Sequence, residues 1–288
     1  MSQQRIVVGV DGSTGARTAL LWAAAEAALR GAELLVVHGP DTREGGVVGA
    51  SPDRALLGGH VALARERQPS VPVTMLASEG PAADALIEQS RRADLIVVGT
   101  RGRGGITQSM LGSVSYRVAA HADCPVAVIP EQFVDERGQA PARVVVGLSP
   151  SAAGRAALDF AFAEATHRAA SVQVLHAQEP TDDGGMGQRA LPNGGSWTQA
   201  VAHLDQLRAS HPRLSVETVV TEDEPVDALL RLSVGAQLVA LGCHHSADRW
   251  ATRLGPIPAA VLHRSDCPVV VVGTSPSVPG AEAPSADG

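Results

Sequence analysis

Arg143-Val-Val-Val-Gly147 repeats Arg5-Ile-Val-Val-Gly9 at a distance of 138 residues, and Asp266-Cys-Pro-Val269 repeats Asp123-Cys-Pro-Val126 at a distance of 143. A repeat of this length is a duplicated domain rather than a solenoid unit. The difference of five residues between the two distances fits one short insertion, most naturally among Thr181 to Gly195, a stretch rich in Gly and Asp. With 288 residues, each half is long enough to bury a core of its own. The divisions expected are a first domain over 1–131, a polar linker over 132–141, a second domain over 142–274, and a disordered Pro/Ser/Ala/Gly tail over 275–288.

Within the first half, apolar runs alternate with helical patterns. A strand from Arg5 ends in the carboxylate Asp11, and Ser13 or Thr14 caps a helix that Gly31 stops. Strands follow at Glu33 to His38, Val71 to Ala77, Leu95 to Val98 and Pro125 to Ile129. Between them lie helices from about Arg54 to Arg67, from Gly80-Pro81 to about Arg91, and from Val114 to Ala120. Unbroken Leu/Ile/Val runs are buried on both faces, and alternation with helices implies right-handed crossovers onto a parallel sheet. The fold class is therefore α/β: two tandem doubly wound, five-stranded parallel-sheet domains of Rossmann-like construction.

Aromatic residues make up 2% of the chain, so the cores must be built from Val, Leu, Ile and Ala. A formal charge of −7 offers no positive surface for a nucleic-acid backbone, and no apolar run reaches the length of a spanning helix, so neither nucleic acid nor membrane is an expected partner. A cytoplasmic location is the expectation. Cys124, Cys243 and Cys267 form no C-x-x-C pair and read as buried small hydrophobes rather than as disulfide or zinc ligands.

The stretch with chemistry in it follows the fourth strand. Four of the residues from Gly99 to Gly105 are glycine (Gly99, Gly102, Gly104, Gly105), and Gly112-Ser113 then opens a helix at Val114. Such a loop lets backbone N–H groups approach a ligand, and the helix start adds free N–H groups and a positive dipole end suited to an anion. It is not a Walker loop, because the chain has no lysine. Nor is it the dinucleotide fingerprint, which follows the first strand of its unit. If strands one and four are neighbours, Asp11 and the Gly99 loop meet at one crevice. There Asp11 suits a ribose hydroxyl, an adenine amine or a hydrated Mg2+. Gly102, Gly112, Ser113 and the helix start at Val114 suit phosphates, Arg101 and Arg103 add charge, and Val37 and Gly39 can wall a base.

The spacing G-x2-G-x9-G-S, with Asp11 ending the first strand and Cys124-Pro-Val126 opening the last, resembles the universal stress protein family in its ATP-binding branch. The resemblance covers both halves. It implies a five-stranded sheet with ATP, with or without Mg2+, in the crevice, and it places a further phosphate-facing hydroxyl at Ser115. It also implies an intramolecular pseudo-dimer paired through the last strand of each unit, leaves a homodimer open, and points to a regulatory role in the stress response with an unidentified protein partner. A slow ATPase and a nucleotide-free interaction module are the alternatives. No base is identified, so no catalytic residue is assigned, and no metal is expected on protein side chains alone.

The second half departs from the pattern. Gly242-Cys-His-His245 stands for Gly99-Thr-Arg-Gly102, Gly255-Pro256 for Gly112-Ser113, Ser149 for Asp11, and Glu224 for Gly80. One nucleotide, in the first half, is the expectation. His244, His245 and His263 lack the spacing of a metal set, His38 and His176 read as packing or hydrogen-bonding residues, and Trp22 and Phe160 read as core. Arg65, Glu66 and Arg67 read as a solvated helix face.

Overall fold

The computed structural model describes residues 4–40, 54–100, 111–134, 142–177, 195–243 and 254–274. The proposed tail, most of the linker, and His244 and His245 lie outside them. The first half runs β1 (Arg5–Gly9), α1 (Thr14–Arg30), β2 (Glu33–His38), α2 (Arg54–Arg67), β3 (Val73–Ala77), α3 (Ala82–Ser90), β4 (Leu95–Gly99), α4 (Ser113–His121) and β5 (Val126–Ile129). The second runs β6 (Arg143–Gly147), α5 (Ala152–Arg168), β7 (Ser171–Ala177), α6 (Gly195–Ser210), β8 (Val216–Thr221), α7 (Pro225–Ser233), β9 (Leu238–Cys243), α8 (Pro256–Arg264) and β10 (Val269–Gly273).

Local chemistry sets these boundaries. Ser13 accepts from the Ala16 amide to start α1, and Gly31 at φ 64 ends it in the left-handed conformation that glycine adopts without strain. Two elements begin later than their patterns suggest. Strand β3 starts at Val73 rather than Val71, whose amide instead closes a turn onto Gln68. Helix α3 starts at Ala82, with Pro81 as its cap. Since Glu224 caps α7 with nearly the same dihedral angles, Glu224 is the counterpart of Pro81, and Asp223 that of Gly80.

The strand order is β3-β2-β1-β4-β5-β10-β9-β6-β7-β8. Each half is parallel, and β5 and β10 join the halves by antiparallel pairing of Val126 with Val271 and Val128 with Val269. Covering one edge of each half in this way leaves β3 and β8 as the sheet's edges among the described residues. Along β1, Ile6 and Val8 face α1 and α2, whereas Val7 faces α3 and α4. The second half repeats the arrangement, with α5 and α6 on one face and α7 and α8 on the other. Among the described residues no helix is long and apolar enough to cross a membrane.

The insertion between the halves falls where the two distances require it. His38 and His176 still match at the ends of β2 and β7, while Val61 of α2 already matches Leu204 of α6 at the longer distance. His38 contacts the Val10 carbonyl through Nδ1, and His176 packs edge-on against Trp197. Burial pushes the Cys267 and Cys124 thiols up to about 12 and Cys243 up to about 11, although Cys124 is only half-buried.

Helices α1 and α5 meet across the seam through four charges. Glu26, Arg30, Glu164 and Arg168 have side-chain exposures of 0%, 6%, 1% and 1%. Arg30 lies 2.7 Å from both carboxylates, with its approach to Glu164 off the N–H direction, and Arg168 pairs with Glu26 and, at 3.0 Å, with Glu164. Arg30 stands over the half-buried Phe160 ring, as Arg168 stands over buried Trp22. Burial opposes ionisation of Glu26, but the Arg168 and Arg30 charges outweigh it and hold its carboxyl below the ordinary range. For Glu164, burial and then the Glu26 charge prevail and push it up to about 7.

Candidate functional site

Strands β1 and β4 are neighbours, with Val7 opposite Ile96 and Val8 opposite Val97. The chain leaves β1 toward α1 on one face and leaves β4 toward α4 on the other, so the strand ends border a crevice at the reversal point. Carrying the register forward sets Val10 and Asp11 beside Gly99 and Thr100.

Asp11 is fixed at this rim. One carboxylate oxygen accepts the Ser13 amide at 2.9 Å, and Gly12 at φ 81 makes the turn between them. The side chain is half-buried, so the carboxylate is oriented without being sealed from a ligand. Its counterpart Ser149 keeps the turn by contacting the Ser151 hydroxyl and amide, and drops the charge.

Across the crevice, β4 is tied to the start of α4. The Gly112 amide donates to the Thr100 carbonyl at 2.7 Å, and buried Ser115 donates its hydroxyl to the Gly99 carbonyl at 2.6 Å. Gly112 caps α4 in an extended conformation without a side-chain acceptor, and the intrahelical bonds begin with Tyr116 donating to Gly112. The amides of exposed Ser113, half-buried Val114 and Ser115 therefore have no acceptor within the helix, and the positive end of its dipole coincides with them.

The remaining sequence-derived residues fall into three groups. Gly99 ends β4, where an added Cβ would lie 2.8 Å from the Gly15 carbonyl group, so its missing side chain admits α1. Val37 is buried against α3, and its carbonyl accepts the Val10 amide at 2.9 Å. Gly39 packs against the lead-in to α3, where a Cβ would lie 2.9 Å from the Gly80 carbonyl oxygen. Arg101 and Gly102 lie outside the described residues. Ser115 has its hydroxyl proton directed at Gly99, so what it presents at the helix start is its backbone amide.

The second half builds the same scaffold with different chemistry. Gly242 admits α5 as Gly99 admits α1, a Cβ there falling 2.6 Å from the Ala153 carbonyl group. Its helix α8, however, begins Pro256-Ile-Pro258 after Gly255 at φ 70. Proline is tolerated in the first turn but brings no N–H, so only Ile257 among these three can donate. The proline at 258 also replaces Ser115, and that second loss is readable from the same 143-residue distance that aligns Gly255 with Gly112.

The model of the universal stress protein family matches this chain twice, over residues 3–130 and 142–273. The chain belongs to the universal stress protein family. It is 32% identical over 294 residues to Universal stress protein Rv2005c from Mycobacterium tuberculosis, with 95% of this chain and 98% of that protein covered. Universal stress protein Rv2623 from the same organism is 31% identical over 291 residues, with 94% and 96% covered. In fold, the chain is similar to a universal stress protein from Archaeoglobus fulgidus, with a TM-score of 0.67 at 17% identity over 95% of this chain and 99% of that one. As a tandem member of the family it carries two stress-protein domains, and the joint between them is the β5–β10 pairing.

Proposed function

We propose that this universal stress protein binds one adenine nucleotide, ATP, in the crevice of its first domain and acts as a nucleotide-dependent regulatory protein in the stress response. The observation that carries the reading is the contrast between the two helix starts. Helix α4 offers three consecutive amides behind a glycine cap, whereas α8 has proline at two of the three corresponding positions. A helix start with three free amides suits phosphate better than the same start reduced to one. Asp11 complements it at the neighbouring strand end. A carboxylate repels phosphate oxygens, so it belongs at the nucleoside end, accepting from a ribose hydroxyl or the adenine amine, or at a cation carried with the phosphates.

The regulatory part rests on the join between the halves. The two domains share a continuous sheet and a buried charge cluster, so a rearrangement at one crevice is mechanically connected to the other. A cytoplasmic location and a protein partner belong to the same proposal. The test is to denature the purified chain, identify any released nucleotide, and titrate the emptied protein with ATP, ADP and AMP in a calorimeter. The expected result is one equivalent of adenine nucleotide per chain, with binding abolished in Asp11→Glu. Two equivalents, or none, would overturn the reading.

A further inference from the structure

The α4 helix start is held from two sides. Its own half supplies Thr100 and Gly99, which accept from Gly112 and Ser115. The other half supplies His263 of α8, whose Nδ1 lies 3.1 Å from the Leu111 amide nitrogen, across 152 residues of sequence. A backbone amide can only donate, so this nitrogen of the imidazole must be the acceptor and carry no proton. Leu111 directly precedes the cap residue Gly112, so the bond fixes the chain where it enters α4.

The contact has no mirror image. The duplication pairs His263 with Ala120 and Leu111 with Leu254. Ala120 is buried and ends in a methyl group, which cannot accept a hydrogen bond, and Leu254 is itself 1% exposed. At the counterpart position the first half therefore lacks the group with which to hold the α8 helix start in the same way. Asymmetry here runs in the same direction as asymmetry in the helix starts: the half that has one donor of three reaches over to the half that has all three.

We propose that the second domain is a structural part of the first-domain site, with His263 as a positioning residue that sets Leu111, and through it Gly112 and the α4 amides, for nucleotide. This rests on the reading that nucleotide binds at α4. The bond is lost in His263→Ala and kept in His263→Asn, whose Oδ1 can take the place of Nδ1 as acceptor.

The test uses the full chain and two readouts. Calorimetry with ATP measures affinity, and NMR hydrogen exchange measures protection of the Leu111 amide without ligand. Loss of one neutral hydrogen bond should weaken ATP binding roughly 2- to 10-fold in His263→Ala and speed Leu111 exchange by a similar factor, with both restored in His263→Asn. Unchanged affinity and exchange in His263→Ala overturn the proposal. So does equal weakening in Ala and Asn, since the acceptor then does no positioning. Wild-type protein that binds no nucleotide defeats the site reading, and with it the positioning of nucleotide, whereas the exchange readout still decides whether His263 holds Leu111.

Discussion

The hydroxyl of Ser115 donates to the carbonyl of Gly99 across 2.6 Å, tying the first turn of α4 to the last residue of β4. Both groups are buried, so the carbonyl has no water to turn to if the hydroxyl is removed. Ser115→Ala should therefore lower stability by about 1–3 kcal/mol, the usual result of stranding a buried polar group. Urea denaturation of the two proteins measures it. A variant as stable as the wild type would mean that Ser115 does not hold the helix start.

Ser113→Pro separates binding from folding. Proline at the first position of the equivalent helix α8 is already part of this fold, and Gly112 at ψ 151 has the extended conformation that a following proline requires. The variant should fold with near wild-type stability while losing one amide that faces the proposed phosphate. Hydrogen bonds to charged groups contribute about 1.5–3 kcal/mol, so ATP affinity should fall by roughly tenfold to a hundredfold in calorimetry. Wild-type affinity in a folded Ser113→Pro protein would place the phosphates elsewhere.

Much of this arrangement was legible in the residues. The duplication and the alternation of buried strands with helices follow from local pattern and the handedness of crossovers, whereas the meeting of Asp11 with the Gly99 turn was conditional on β1 and β4 being neighbours, which the strand pairing supplies. What local pattern does not carry is long-range contact. Gly99 reads in sequence as the first glycine of a ligand loop, but the backbone of α1 occupies the space its side chain would need. The resemblance offers Ser115 as a phosphate-facing hydroxyl, and the long-range contact it makes here, to a carbonyl of its own sheet, has no trace in the local pattern. Neither the Glu26–Arg168 cluster nor the His263 contact has a signature, since each depends on the antiparallel β5–β10 seam bringing helices of different halves together.

Gly99→Ala and Gly242→Ala test the scaffold role directly. A methyl group at either position would fall 2.8 or 2.6 Å from a carbonyl group of the facing helix, which must move outward to admit it. Overpacking of this kind costs about 1–3 kcal/mol, and the two variants should be destabilised alike, as seen in their denaturation midpoints. The comparison is informative because Gly242 belongs to the half whose helix start keeps only the Ile257 amide of the three. Wild-type stability in either variant would show that the facing helix yields to the methyl group and that the glycine there is not required for packing.

The Glu164 carboxyl makes the seam between the domains sensitive to pH. Its value near 7 lies above the ordinary 4.5, so between those limits the native protein holds a proton that the unfolded chain has released. The stability this proton supplies is complete below the unfolded value and is lost as pH rises through 7. Glu26 acts in the opposite sense: its lowered value supplies stability above the ordinary 4.5 that is lost only as pH falls through that lowered value. Glu164 therefore dominates the window from about pH 5 to about pH 7. Glu164→Gln reproduces the protonated form, since its amide can donate to Glu26, and it does not titrate. Relative to this variant, the wild type should lose stability between about pH 5 and about pH 8, by an amount of order 1–3 kcal/mol, measured as the difference in urea unfolding free energy at each pH. Parallel pH profiles for the two proteins would show that Glu164 carries no proton in that window and that the four-charge cluster is fully ionised throughout.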